Sequence, residues 1–115
     1  MCIRDRYSSY LGGSGTDGSF GIALSGTGDI LVSGFTSSND FPTANAFQGA
    51  LNGPSDGFLA RIDPTLSGAA SLVDSTYFGG SGTELFHDIE VTPGDHVYAI
   101  GYSNSPDLPL SLIHI

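Results

Sequence analysis

Two stretches of this chain have closely similar sequences, and this repeat constrains the fold more than any other feature. Residues 7–42 and 74–109 align without a gap at an offset of 67 residues, with 12 identities. Many of the differences are conservative, such as Leu11 to Phe78 and Asp17 to Glu84. The chain therefore contains one full unit and part of a second, which is typical of repeat architectures.

Each unit has the alternation and the turns of antiparallel strands. Phe20, Ile22 and Leu24 alternate with Gly21 and Ala23, which predicts a strand whose apolar face is buried. A turn is predicted over residues 25–29, and further strands over residues 30–35, 58–62 and 71–78, with the cycle restarting at 89 and 97. Helical periodicity is weak throughout, and only residues 44–51 are predicted to form a short helical turn.

Four antiparallel strands in each period are the pattern of a β-propeller blade. Four segments make the resemblance more specific: YSSYLGGSGTD, ILVSGFTSSNDFP, SDGFLARIDP and STYFGGSGTE. Over residues 7–109 the chain resembles the bacterial SBBP (seven-bladed beta-propeller) repeat family. That family usually shows an acidic pair after GGSG. Here the pairs are Asp17-Gly18 and Glu84-Leu85, which argues against a carboxylate-pair role at these positions.

The resemblance implies an all-β fragment of a β-propeller and divides the chain accordingly. Residues 7–17 would supply the last strand of a preceding blade and an inter-blade loop, 18–80 one complete blade, and 81–109 the first two strands of the next. Residues 1–6 (MCIRDR) and 110–115 (LSLIHI) resemble translated sequencing-library transposase tags, and we expect them to be artefacts. A closed ring needs about four to eight blades, so we expect this fragment to leave strand edges unpaired and to aggregate.

Three segments meet on one side of such a blade: residues 14–17, residues 81–84 and the long loop 36–57. Loops on a rigid repeat scaffold are frequent binding surfaces. We expect this long-loop face to bind a glycan or a protein, with Phe41, Phe47 and Leu51 holding the loop in place. The chain is then a non-catalytic module of a secreted or cell-surface bacterial protein. The alternatives are a propeller enzyme whose catalytic residues lie in other blades and a purely structural spacer.

Composition excludes several other functions. The formal net charge is −9 with only three Lys and Arg together, which excludes a nucleic-acid binder because affinity for phosphates depends on basic residues. The longest apolar run is far shorter than the roughly 20 residues of a membrane span.

Two glycine-rich motifs do not indicate a ligand site. GxGxxG at residues 13–18 is followed by a strand instead of the helix that dinucleotide binding requires, and GGSGTD at 12–17 lacks the tandem copies of a calcium β-roll. We therefore assign no catalytic residue and no cofactor.

The charged and imidazole side chains are expected to have local structural roles. Five aspartates next to Gly, Pro or Asn are predicted to close turns on their own backbone, and calcium held between neighbouring loops is the alternative. These are Asp29, Asp40, Asp63, Asp95 and Asp107. His87 and His96 are not expected to ligate zinc, because Asp88 and Glu90 point to the opposite side of an alternating strand from His87. Arg61 is expected to pair with an aspartate of a neighbouring blade.

Overall fold

The computed structural model describes residues 11–66, 68–93 and 96–106, and these form six antiparallel strands. A single turn of 3-10 helix, Gly68–Ser71, precedes the fourth strand. The strands are β1 (Asp17–Leu24), β2 (Ile30–Thr36), β3 (Asp56–Ile62), β4 (Leu72–Phe78), β5 (Glu84–Thr92) and β6 (His96–Ser103). The two terminal tag-like segments, residues 7–10, Asp95 and Asp107 lie outside the described residues.

The first four strands form one sheet in the order of the sequence, each antiparallel to its neighbour. The turn predicted between β1 and β2 is present, because the amide of Ser25 donates to the carbonyl of Asp29 and the amide of Gly28 donates to the carbonyl of Ser25. Gly28 has a φ of 91°, a conformation that costs a glycine little. The predicted all-β class and four-stranded antiparallel sheet are therefore confirmed.

The second sheet, β5 with β6, reproduces the β1–β2 hairpin at an offset of 67 residues. Both hairpins contain a β-bulge at the same place, Phe20 in β1 and His87 in β5. Gly34 and Gly101 occupy equivalent positions in β2 and β6, and a side chain at either would collide with the backbone of the paired strand. The internal repeat therefore extends from the sequence to irregular details of the backbone.

The two sheets pack face to face, and β5 lies across β1, β2 and β3. Leu31 and Leu59 of the first sheet and Ile89 of β5 form the buried core between them. A second core lies on the other face of the four-stranded sheet, where Phe41 of the long β2–β3 segment covers Phe58. Both faces of β3 are thus buried.

The prediction for β1 is wrong about which face is buried. Gly21 is buried against β5, whereas the side chains of Phe20, Ile22 and Leu24 are exposed. The register explains the difference for Ile22: it lies opposite Val32, on the face away from β5, and the segment that covers this face does not reach it. Alternation identified the two faces of the strand, but not which one has a partner.

The predicted helical turn at residues 44–51 is also wrong. Ala44 is instead paired with Ser75 through two backbone hydrogen bonds, and the amide of Tyr77 donates to the carbonyl of Gln48. The segment therefore covers the outer edge of β4, although we expected this fragment to leave strand edges unpaired. Within the described ranges, no helix is long and apolar enough to cross a membrane.

Candidate functional site

The three segments expected at one end of the molecule do meet there. The long segment, residues 37–55, joins the end of β2 to the start of β3. Near its beginning, Asp40 accepts a hydrogen bond from the amide of Ser14 at 2.7 Å. Near its end, the carbonyl of Ser55 accepts one from the amide of Glu84 at 2.9 Å. The long segment is therefore bonded to the GGSG turns of both units.

In the first unit, the carboxylate of Asp17 ties the GGSG turn to the end of β2. It accepts hydrogen bonds from the amide of Gly13 at 3.0 Å and from the hydroxyl of Ser38 at 2.9 Å. The hydroxyl of Thr36 donates to it as well. Ser38 in turn accepts from the amide of Gly15 at 2.8 Å. Hydrogen bonds to an ionised acceptor are among the stronger ones, so this carboxylate is a structural tie.

Glu84 repeats the arrangement in the second unit. Its carboxylate accepts from the amide of Gly80 at 3.1 Å and from the hydroxyl of Ser103 at 2.7 Å. The hydroxyl of Ser105 also donates to it and itself accepts from the amide of Gly82 at 2.8 Å. Each partner lies 67 residues after its counterpart in the first unit. The same hydrogen-bond network therefore occurs in both units, with glutamate in place of aspartate.

A third carboxylate, Asp56, lies buried at the start of β3. It accepts from the amide of Asn52 at 2.9 Å, the side-chain amide of Gln48 at 2.8 Å and the amide of Gly53 at 3.3 Å. Burial raises the pKa of Asp56, and the nearby charge of Glu84 raises it further, although the hydrogen bonds oppose both effects. These hydrogen bonds hold the end of the long segment against the start of β3.

The beginning of the long segment is anchored from below by Tyr77 of β4. Its hydroxyl donates to the carbonyl of Ser38 at 2.6 Å and accepts from the amide of Phe41 at 3.0 Å. Burial raises the pKa of the Tyr77 phenol. Because Tyr77 is almost completely buried, both bonds are sheltered from water and fix the segment on the sheet.

The three apolar residues expected to hold the long segment behave differently from one another. Phe41 is buried, and Leu51 packs against the same core. Phe47 is instead 47% exposed and lies outside the core formed around Phe41. It lies between Ala44 and Gln48, which are bonded to β4. Its ring is therefore presented to solvent by an immobilised stretch of backbone.

Of the aspartates predicted to close local turns, only Asp63 does so among the three that are described. It accepts from the amide and hydroxyl of Thr65, two residues later, and these bonds lower its pKa. Asp40 instead reaches across the molecule to Ser14, whose amide and then hydroxyl lower the pKa of Asp40. The prediction was local because adjacent residues cannot reveal a partner 26 positions away.

The ion pair predicted for Arg61 also has a different partner. Its guanidinium Nε lies 2.7 Å from the carboxylate of Asp29, within the same four-stranded sheet. Asp29 directly precedes β2, and Arg61 of β3 lies opposite Leu31 of β2. The strand register therefore brings the side chains of Asp29 and Arg61 together. The pair does not involve a neighbouring unit.

The described residues contain no group of three or more His, Cys, Asp or Glu side chains arranged to hold a metal ion. His96 lies opposite Thr92 at one end of β5. Thr92 is five residues from His87, so the two histidines are separated by about 15 Å along the strand. His87 packs instead against the ring of Phe20, at 5.8 Å between ring centroids. Calcium between neighbouring loops stays a prediction.

A small cleft opens between the ends of the two sheets. Its volume is about 200 Å³, and its lining includes Phe78, Phe86, Tyr102 and Glu84. Pockets for small organic ligands usually exceed roughly 300 Å³. Because Glu84 already accepts hydrogen bonds from its own turn and from β6, we assign the cleft no ligand.

Sequence reasoning missed the carboxylate ties, although a usable signal was present. An acid is kept at positions 17 and 84, and hydroxyl residues are kept at 36 and 103 and at 38 and 105. An acid and two hydroxyls preserved together between repeat copies indicate a shared hydrogen-bond network.

Comparison with protein-family models, with curated proteins and with solved structures finds no match to this chain.

Proposed function

We propose that this chain is part of a non-catalytic β-propeller repeat scaffold of a secreted or cell-surface bacterial protein, and that it binds a neutral glycan through the long segment. The scaffold role is supported by the twofold use of one carboxylate tie, at Asp17 and at Glu84. In both units the acid that follows the GGSG turn accepts hydrogen bonds from the chain itself. Such an acid contributes rigidity instead of chemistry.

The binding role depends on one observation, the exposed ring of Phe47 on an immobilised segment. Backbone bonds at Ala44 and Gln48 fix the segment on either side of this ring. Little conformational entropy is then lost when a ligand stacks on it. An aromatic face is the usual platform for the apolar side of a sugar ring, since it needs no charge on the ligand.

Charge decides between classes of glycan. The net charge of −9 repels uronic acids, sulfated sugars and other polyanions. Asp40 is exposed at the beginning of the same segment and adds a negative charge there, and hydrogen bonds from the amide and hydroxyl of Ser14 lower its pKa further. A neutral polysaccharide with hydroxyl donors is therefore the ligand class that this surface favours.

The test is a binding screen of the full chain on immobilised neutral and anionic polysaccharides, followed by calorimetry with the best neutral binder. We expect Phe47→Ala to weaken binding by about two- to tenfold, because stacking on one aromatic ring contributes on the order of 0.5–1.5 kcal/mol. Leu66→Ala is the matched control, since Leu66 is 45% exposed in the β3–β4 turn. Equal affinity of the two variants would contradict the proposal, and no binding at all would favour a structural spacer.

A further inference from the structure

Asn52 and Gly53, near the end of the long segment, form the one Asn-Gly pair of this chain. In such a pair the backbone nitrogen of the glycine can attack the side-chain amide of the asparagine, because glycine has no side chain to hinder the approach. Asn52 is exposed, so water has access to it. The fold also requires this glycine, since an added Cβ would lie 2.8 Å from the carbonyl oxygen of Gly80.

The carboxylate of Asp56 lies where a base for this attack is needed. It accepts a hydrogen bond from the amide of Gly53 at 3.3 Å, and this is the proton that the attacking nitrogen must lose. A base has to be within hydrogen-bond reach of the proton it removes, and such bonds are often long before the reaction begins. Burial of Asp56 disfavours its charged form, which makes it a stronger base than a carboxylate in water.

The group that would leave is held in place as well. The Nδ2 of Asn52 donates to the carbonyl of Gly79 at 3.2 Å, and the backbone amide of Asn52 donates to Asp56 at 2.9 Å. The side chain, the following amide and the base are thus confined together at the start of β3. Reacting groups that are held together react faster than the same groups in a flexible chain.

We propose that Asn52 is a site of self-catalysed deamidation, with Asp56 as the base. The nitrogen of Gly53 gives its proton to Asp56 and forms a bond to the Cγ of Asn52. The Cγ–Nδ2 bond breaks, and the side-chain nitrogen leaves as ammonia with the proton that Asp56 returns. Water then adds to one of the two carbonyl carbons of the cyclic imide and opens it, which gives aspartate or isoaspartate at position 52.

Either product weakens the contact between the long segment and the second GGSG turn. Asp56 and Glu84 already lie close to Gly79, where an added Cβ would be less than 3.0 Å from a carboxylate oxygen of each. A carboxylate at position 52 cannot donate to the carbonyl of Gly79, and it brings a third negative charge to this place. Isoaspartate also lengthens the backbone beside Gly53, which is already in close contact with Gly80. The reaction therefore releases the end of the long segment irreversibly.

The first test compares the folded chain with the chain unfolded in guanidinium chloride, by peptide mass spectrometry over several weeks at several pH values. We expect Asn52 to deamidate faster in the folded chain. Its rate there should level off across the neutral range, once Asp56 is ionised, whereas in the unfolded chain it should rise in proportion to hydroxide. A slower reaction in the folded chain, or a rate proportional to hydroxide there, would overturn the proposal.

A second test removes the base and keeps its shape. Asp56→Asn retains an oxygen that can accept from the two amides, but it cannot take up the proton. A general base contributes about 100- to 10,000-fold in rate, so we expect deamidation of Asn52 to slow by at least about tenfold. Because the substitution places an asparagine before Gly57, fragment sequencing has to assign each product to its position.

Asp40→Asn is the matched control, since Asp40 is an exposed acid at the other end of the same segment. We expect it to leave the rate at Asn52 unchanged. An unchanged rate in Asp56→Asn that is folded by circular dichroism would contradict the role of Asp56. If that variant does not fold, the pH dependence of the wild-type chain decides.

The proposed release is tested with Asn52→Asp, which has the aspartate product from the start. We expect proteolytic cleavage within residues 48–55 to be severalfold faster than in the wild type, and Asn39→Asp, an exposed position near the beginning of the segment, to have no effect. Equal cleavage in the two variants would contradict the release. The inference goes beyond the proposed function and does not depend on it, because deamidation is measured without any glycan.

Discussion

Removing the carboxylate of Asp17 should destabilise the fold far more than removing an exposed acid. In Asp17→Ala, the hydroxyls of Thr36 and Ser38 lose their acceptor, and both residues are almost completely buried. A buried donor left without a partner costs about 1–3 kcal/mol, so two of them predict a loss of about 2–6 kcal/mol. The amide of Gly13 is only half-buried, so water can replace its acceptor.

The second unit predicts a smaller loss for the same change. In Glu84→Ala, only the amide of Gly80 among the three donors is buried, whereas Ser103 is exposed and Ser105 half-buried. One buried donor predicts a loss of about 1–3 kcal/mol. The order of the two variants is therefore a sharper test than either value alone.

Urea unfolding followed by far-UV circular dichroism measures both losses. Glu90→Ala is the control, because Glu90 is exposed in β5 and a surface substitution of this kind usually changes the free energy of unfolding by no more than about 0.5 kcal/mol. If Asp17→Ala is no more destabilising than this control, the carboxylate is not a tie and the reasoning fails. A larger loss for Glu84→Ala than for Asp17→Ala would refute the burial argument specifically.

Three further predictions concern Tyr77, Asp56 and Gly34. Tyr77→Phe removes the hydroxyl that bonds Ser38, so we expect a loss of about 1–2 kcal/mol in urea unfolding and faster proteolysis of the long segment. Burial raises the pKa of Asp56 above its ordinary value of about 3.8, so the free energy of unfolding should fall as pH rises from 3.8 through the raised pKa. Asp56→Asn should flatten that part of the profile in urea titrations at several pH values. Gly34→Ala places a methyl group against the carbonyl of Gly18 and should prevent cooperative thermal unfolding, whereas Gly49→Ala, which meets nothing, should leave the melting temperature within a few degrees.

Each of these predictions has an outcome that contradicts it. Unchanged proteolysis in Tyr77→Phe would mean that the long segment is held elsewhere. A pH profile for Asp56→Asn that parallels the wild type would show that Asp56 titrates normally. A cooperatively folded Gly34→Ala would show that β1 and β2 can separate enough to admit a side chain.

The strands and the first turn could be predicted because their signals come from residues that are close together in the sequence. Strand alternation and the turn at residues 25–29 depend on neighbouring residues, and the repeat doubled each signal. What failed depended on partners that are distant in sequence. The exposure of Ile22, the Asp40–Ser14 bond and the pairing of Ala44 with Ser75 are all set by the tertiary arrangement.

The candidate site could likewise be predicted only in part. The repeat identified the segments that meet at one end of the sheets, because turns that join consecutive antiparallel strands must alternate between the two ends. It did not identify Phe47 as the exposed member of its apolar trio, because Phe41, Phe47 and Leu51 are equally hydrophobic. Only the position of Tyr77 beneath the segment decides which ring turns inward.

The strip formed by residues 44–48 limits how this molecule can be enlarged. It occupies the amides of Ser75 and Tyr77 along the outer side of β4, so a new strand cannot be added there without displacing it. Growth on that side would require the long segment to peel away from its own sheet first. Sequence changes that lengthen the segment beyond the strip would therefore enlarge a surface loop, while leaving the width of the sheet fixed.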